Sequence, residues 1–287
     1  MMNQPFIIPN YGWWDNLFYV AGLKFYDLLS GKLSFGTSIR IKKEETIIRL
    51  STLRTKGLKG GVVYYDGQFD DARLAVNIAQ TCIENGATVL NHFKVKKLQK
   101  DLKGIINGVV AIDMETHKEY HLKTNVVVNA TGVFTDDILK MDDTFATESI
   151  RPSQGIHLVF DKSFLPGDDA IMIPRTDDGR VLFLVPWHNR VLVGTTDTLL
   201  TGHSLEPIPL DIEVDFIIET ANRYLKKSIS KADVLSVFAG LRPLATPKTN
   251  SEKTKAISRS HKIIVSESEL ITITGGKWTT YRRMAQD

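Results

Sequence analysis

The run LITIT, Leu270 to Thr274, passes directly into GGKWTTYRRMAQD, Gly275 to Asp287, and no other stretch constrains the fold as much. Its β-branched and apolar residues predict a short buried strand. Gly275 and Gly276 predict a turn without side chains, and Thr279 or Thr280 the cap of a helix carrying Tyr281, Arg282 and Met284. Strand, glycine turn and helix N-terminus together turn backbone N–H groups toward negative charge. Lys277 adds a full cation there. An ordinary βα turn with a solvated lysine has the same local sequence, so the rest of the chain must decide between the two readings.

The 287 residues, 43% of them hydrophobic, suffice for one large core or two smaller ones, and two lobes are expected. With 36 basic and 33 acidic residues the net charge is only +3, which argues against nucleic acid as a partner and leaves small anions open. No apolar run reaches the length of a membrane span, and MMNQPFIIPN lacks the regions of a signal peptide. The expectation is a soluble chain on the cytoplasmic side. The single cysteine, Cys82, excludes an internal disulfide and a multi-cysteine zinc site, and no metal is expected. Its helical spacing with Ile78, Ala79 and Ile83 predicts core packing.

The N-terminal turn formers and aromatics, Pro5, Pro9, Tyr11 and Gly12, read as a connection. Trp14, Leu17, Phe18, Ala21, Phe25, Leu28 and Leu29 follow helical spacing up to Gly31, an aromatic stripe expected in the core. A shorter helix is predicted from Lys43 to Leu50. Val62 to Tyr65 reads as a strand, followed by a helix capped by Asp70 or Asp71, buried through Leu74, Ile78, Ala79, Cys82 and Ile83, and ending at Gly86. Ala87 to Leu90 is expected as the next strand, and the segments from Phe93, Gly104 and Lys118 as a β-meander. NVVVN, Asn125 to Asn129, is continuously β-branched and predicts a strand covered on both faces, ending in Ala130, Thr131 and Gly132, where backbone can approach a ligand.

From Ile150 the pattern becomes antiparallel strands: Gly155 to Phe160, Ala170 to Pro174, Val181 to Trp187 and Arg190 to Thr195. Ile156, Leu158 and Phe160 share one face, which puts His157 and Val159 on the other. Glu213 to Tyr224 predicts a helix with Val214, Ile217, Ile218 and Ala221 inside. Val234 to Leu241 and Ile257 to Val265 return to strand, carrying Arg242 and Arg259 at their ends.

GGVVYYDGQFDDARLA (Gly60 to Ala75), VVVNATG (Val126 to Gly132), RPSQGIHLVF (Arg151 to Phe160), GTTDT (Gly194 to Thr198), AGLRPL (Ala239 to Leu244), SRSH (Ser258 to His261) and GGKWTTYRRMAQD occur in one order. In that order the chain resembles the FAD-dependent glycerol-3-phosphate dehydrogenases, within the D-amino-acid-oxidase-like flavoproteins. The fold class implied is α/β with α+β: a truncated Rossmann-like FAD-binding lobe and a substrate lobe with a mainly antiparallel sheet flanked by helices. The divisions expected are a helical segment over 1–60 packing on the substrate lobe, part of the FAD lobe with the meander over 61–146, the substrate lobe over 147–266, and a returning strand and helix over 267–287. The sequence has no G-x-G-x-x-G, so the resemblance also implies an internal piece, lacking that unit and a C-terminal helical domain, which binds FAD poorly and is inactive alone.

The resemblance implies roles for individual residues. His157 is the expected base for a substrate hydroxyl, since imidazole titrates near neutrality; without the resemblance it reads rather as a satisfied sheet histidine. Arg242 and Arg259 are the expected phosphate pair, with Thr195 as a further substrate contact. Lys277 is expected beside both flavin and substrate. Val95, Thr131, Gly132, Gly275, Gly276 and Thr279 are expected along the FAD. His157, both arginines and the Lys277 turn are expected to converge. The implied reaction oxidises sn-glycerol 3-phosphate to dihydroxyacetone phosphate, passing electrons to a quinone, with peripheral association at the inner face of the cell membrane. Two alternatives stand beside it: an FAD oxidase acting on an amine, an amino acid or glycerol 3-phosphate with oxygen as acceptor, and a non-enzymatic piece that binds anions or a partner.

Overall fold

The computed structural model describes residues 2–31, 34–177, 179–245 and 260–287. In chain order the first elements are β1 (Met2–Asn10), α1 (Trp13–Ser30), β2 (Ile39–Lys42), α2 (Lys43–Arg49), β3 (Gly60–Gln68), α3 (Asp71–Glu84), β4 (Phe93–Lys100), β5 (Ile106–Asp113), β6 (Glu119–Lys123), β7 (Val128–Asn129) and α4 (Thr135–Asp142). There follow β8 (Ile150–Asp161), β9 (Ala170–Ile173), β10 (Leu182–Trp187), β11 (Arg190–Gly194), β12 (Thr198–Leu199), α5 (Asp211–Asn222), β13 (Ser236–Ala245), β14 (His261–Val265), β15 (Ile271–Gly275) and α6 (Tyr281–Gln286). Two compact units result, one of residues 1–77, 155–196 and 208–239, the other of 78–154, 197–207 and 240–287. The unit boundaries therefore fall elsewhere than between the four sequence divisions.

The first unit is built on a sheet. β8 pairs antiparallel with β11, β11 with β10, and β10 with β9. β1 lies parallel to β9 and antiparallel to β3, whose other edge takes β2. The alternation read in β8 holds: Ile156, Leu158 and Phe160 are buried, and His157 and Val159 face the opposite way. The buried face packs on Ile217, Ile218 and Ala221 of α5, in a cluster that includes Leu50, Leu53 and Ile171. Each such aliphatic side chain contributes about 1.5–3 kcal/mol as an upper figure.

Two expectations here are corrected. The N-terminal stretch is not a connection: β1 pairs along its whole length with β3, from Met2↔Gln68 to Asn10↔Gly60. Its prolines are tolerated because the second neighbour, β9, reaches only Phe6 and Ile7, leaving Pro5 and Pro9 beyond that ladder. The apolar stripe of α1 is not core either, since Phe18, Phe25, Leu28 and Leu29 are exposed; the side chains of Trp14 and Leu17 lie outside the described residues. Tyr19 and Leu23 pack inward beside Phe6, Ile8 and Tyr64. Asp27, on the same side, accepts hydrogen bonds from Ser38 N and Oγ, both at 2.8 Å. α1 is apolar nearly all round, so periodicity could not select the inward face.

The second unit holds the expected meander β4–β5–β6 and a separate sheet ordered β14–β15–β7, with β15 parallel to β7. Leu98, Ile106, Ile138 and Leu270 form its core, with Val95 and Val109 against them. Three expectations fail here for one reason. α3 has no buried residue, Cys82 is exposed, and Leu74, Ile78 and Ala79 are only partly covered while Ile83 is open. Ala87 to Leu90 forms no strand and is exposed. β7 is two residues long, with Val126 and Val128 open to solvent rather than covered on both faces. Each segment has the composition of a covered element, but among the described residues nothing covers it, and an extended segment without a hydrogen-bonding neighbour is not a strand.

Candidate active site

In the first unit, antiparallel register places Gly194 of β11 opposite His157 of β8. A methyl group on Gly194 would come within 2.4 Å of His157 Cδ2, so the bare backbone is what lets the imidazole lie there. Phe238 of β13 stacks on the ring, with centroids 5.2 Å apart and planes at 12°. The imidazole is thus held between main chain and an aromatic face. It opens on a cavity of about 600 Å³ lined also by Thr195, Phe183, Trp187 and the turn from Asp66 to Ala72. Thr195 Oγ1 donates to Thr196 O at 3.2 Å. His157 and Thr195, expected from sequence to share a substrate site, line this one cavity.

In the second unit the turn after β15 follows the sequence closely. Gly275 and Gly276 have φ of +74° and +77°, values that exclude most side chains. A Cβ would meet Ser260 O at 2.9 Å in the first case and Met284 Sδ at 2.6 Å in the second. Lys277 is extended, and its N–H donates to Thr280 Oγ1 at 3.1 Å while that hydroxyl donates back to Lys277 O at 2.9 Å. Thr280, the second of the two candidate caps, therefore ties the turn to α6. A cavity of about 830 Å³ opens here, lined by Gly275, Gly276 and Lys277 together with Ile263, Ile273 and Trp278. Thr274 Oγ1, one residue before the turn, is buried with no hydrogen-bond partner among the described residues.

The other expected residues make the following contacts. Ala130 and Trp278 line the cavity where their neighbours Thr131 and Thr279 were expected. Thr131 Oγ1 donates to Asn129 Oδ1 at 2.7 Å, and Asn129 Nδ2 donates to Thr135 O at 3.0 Å, so Asn129 shapes the turn in which Gly132 takes φ +61°. Val95 packs its side chain into the core and pairs with Ala111 across β5, beside a bulge. Arg242 Nη1 lies 3.5 Å from Asp197 Oδ1, and Ser153 Oγ donates to the same carboxylate. Arg259 lies outside the described residues. The expected convergence includes that residue and spans both units, each of which is described by itself.

Sequence reading missed Gly194, Phe238, Asn129 and Asp197. Gly194 and Asp197 carried a signal as parts of the GTTDT run and Asn129 as part of VVVNATG; the stacking of Phe238 depends on a pairing between distant strands.

Comparison with known proteins adds three findings. The family model described as DAO, FAD dependent oxidoreductase, matches residues 15–282. Among curated proteins, the mitochondrial glycerol-3-phosphate dehydrogenase of Schizosaccharomyces pombe is 40% identical over 301 residues, covering 99% of this chain and 46% of that protein. The human mitochondrial enzyme of the same name is 39% identical over 290 residues, covering 99% of this chain and 40% of its own length. Among solved structures, glycerol-3-phosphate dehydrogenase from Bacillus halodurans complexed with FAD superposes with TM-score 0.80 at 30% identity, over 99% of this chain and 50% of that one. L-α-glycerophosphate oxidase from Mycoplasma pneumoniae shares the fold, with TM-score 0.71 at 15% identity. The chain thus spans half or less of the length of the glycerol-3-phosphate dehydrogenases it matches, and over nearly all of its own length it belongs to the DAO family of FAD dependent oxidoreductases.

Proposed function

We propose that the protein oxidises sn-glycerol 3-phosphate to dihydroxyacetone phosphate with FAD as cofactor. The observation that carries the reading is the placement of His157. Its imidazole is clamped between the Gly194 backbone and Phe238 at the mouth of a cavity lined also by Thr195. A clamped imidazole can take the hydroxyl proton of a secondary alcohol without first having to be ordered, and imidazole is the side-chain type best suited to proton transfer near neutral pH. Thr195 offers a hydroxyl to the same substrate.

The residues of the second unit fit the ring-bearing half of FAD. Its cavity is walled by Ile263, Ile273 and Trp278, which suits a flat, largely apolar ring system. Gly275 and Gly276 line it with bare backbone, and Lys277 supplies a cation for a ring edge that gains negative charge. When bound, FAD would supply an acceptor for the hydride of the substrate carbon. Arg242, held by Asp197, offers a planar pair of donors to phosphate oxygens, and Arg259 is proposed as its companion.

The proposal includes a quinone as electron acceptor and a location at the cytoplasmic face of the membrane that holds it. Support for the acceptor comes from the relatives at 39–40% identity, which are named dehydrogenases, whereas the oxidase neighbour is 15% identical. The mitochondrial names of curated relatives speak for those proteins. A test is anaerobic reduction of the FAD-loaded protein by glycerol 3-phosphate set against glycerol and against amino acids. Bleaching by the phosphate ester alone is expected, and bleaching by an amino acid instead would replace the reading with an amine or amino-acid oxidase.

A further inference from the structure

We infer that Glu213 is a positioning residue whose buried carboxylate fixes the end of β11 and, through it, the seat of His157. The inference rests on the proposed role of His157, whereas the contacts that motivate it do not. Glu213 lies in the first turn of α5 and is 3% exposed. Its Oε2 accepts the Leu210 N–H at 3.1 Å, an ordinary capping contact. Oε1 does something capping does not require: it accepts the Thr196 hydroxyl at 2.8 Å.

A carboxylate brings no proton of its own, so the one hydroxyl proton of Thr196 is directed at Glu213 and its lone pairs are left to face β8. There the Ile156 N–H donates to Thr196 Oγ1 at 3.0 Å. Thr196 and Ile156 are both buried, and hydrogen bonds made in such surroundings are stronger than in water. One line of hydrogen bonds, with its direction set by the carboxylate, therefore joins α5 to Thr196, two residues past the end of β11, and to β8. It crosses between the strands immediately beside the pair Gly194↔His157, since Thr196 is two residues past Gly194 and Ile156 directly precedes His157. A cap alone could have stayed at the surface. Burying the charge costs desolvation, and what it holds is the strand crossing on which the imidazole rests.

Glu213→Gln keeps the shape but adds donors where only acceptors fit, and Thr196→Val removes the hydroxyl. The first measurement needs neither cofactor nor turnover: the imidazole resonances of His157, assigned by their loss in His157→Gln, in the purified protein. Both variants are expected to shift them away from the ring-current-affected position that stacking on Phe238 imposes, while Thr196→Ser, which keeps the hydroxyl, restores them. In the FAD-loaded protein the same two variants are expected to slow flavin reduction at saturating glycerol 3-phosphate by about tenfold or more, with KM within about twofold. Unchanged His157 resonances in both variants would overturn the inference, as would a change in Glu213→Gln that Thr196→Val does not reproduce. If the unaltered protein reduces no flavin with glycerol 3-phosphate, the functional reading fails on its own, and the resonances still decide the role of Glu213.

Discussion

Replacing Gly194 with alanine puts the tightest contact of the candidate active site to the test. The new methyl carbon would lie 2.4 Å from His157 Cδ2, 2.8 Å from Cγ and 2.9 Å from Nε2. Carbon atoms in ordinary contact sit about 3.5–4.0 Å apart, so the ring must move by roughly 1 Å or more. The main chain at Gly194 is not in the left-handed region, so backbone strain does not enter. A displaced imidazole gives up its stacking on Phe238, about 0.5–1.5 kcal/mol, and is pushed from its rotamer, about 0.5–1.5 kcal/mol more. The expected destabilisation is about 1–3 kcal/mol, read as a lowered denaturant midpoint. Misplacing a catalytic group by that distance costs on the order of 100-fold in rate. The assay is flavin reduction at saturating substrate in the FAD-loaded Gly194→Ala protein. A variant with unchanged stability and a reduction rate within about twofold of the parent would refute the reasoning, because it would mean that the imidazole is not confined by the β11 backbone.

Two further outcomes are expected. Arg242→Ala should raise KM for glycerol 3-phosphate by about 10-fold or more with a much smaller effect on kcat, since a phosphate contact far from the reacting carbon supplies binding in ground and transition states alike; steady-state kinetics checks it. Burial pushes the Asp142 carboxyl up, but hydrogen bonds from Lys100, Ser268 and Ser266 outweigh it and leave the pKa below its ordinary value. A lowered carboxylate pKa adds stability above the unfolded pKa and loses it as pH falls through the folded one. Lys100→Met should therefore cost about 1–2 kcal/mol at neutral pH, discounted for the solvent around the lysine, and progressively less in acid, as followed by urea unfolding across pH.

What could be read from the sequence was whatever is fixed within one element or one turn. Strict alternation in Gly155 to Phe160 put His157 opposite the core-facing Ile156 and Leu158, and the structure has it so. Gly275 and Gly276 announced their turn because only glycine takes those φ values easily. The failures lie where a neighbour decides. β-Branched composition in Val126 to Val128 states a preference for cover but cannot supply it, and the same holds for the helical spacing around Cys82. Pro5 and Pro9 read as turn formers because nothing local reveals that β9 stops short of them. In the site itself, the pairing of Gly194 with His157 and the stacking of Phe238 depend on register between segments far apart in the chain, so His157 was legible as a candidate and its clamp was not.

The most direct test of the central claim is stopped-flow reduction of the FAD-loaded protein by glycerol 3-phosphate, comparing His157→Ala with the unaltered protein. The account predicts rapid bleaching of the flavin in the parent. In the variant it predicts a rate lower by about 100-fold or more with nearly unchanged substrate affinity, because the imidazole acts on the hydroxyl proton and not on the phosphate. Equal reduction rates in the two proteins, or a loss confined to substrate affinity, would contradict it.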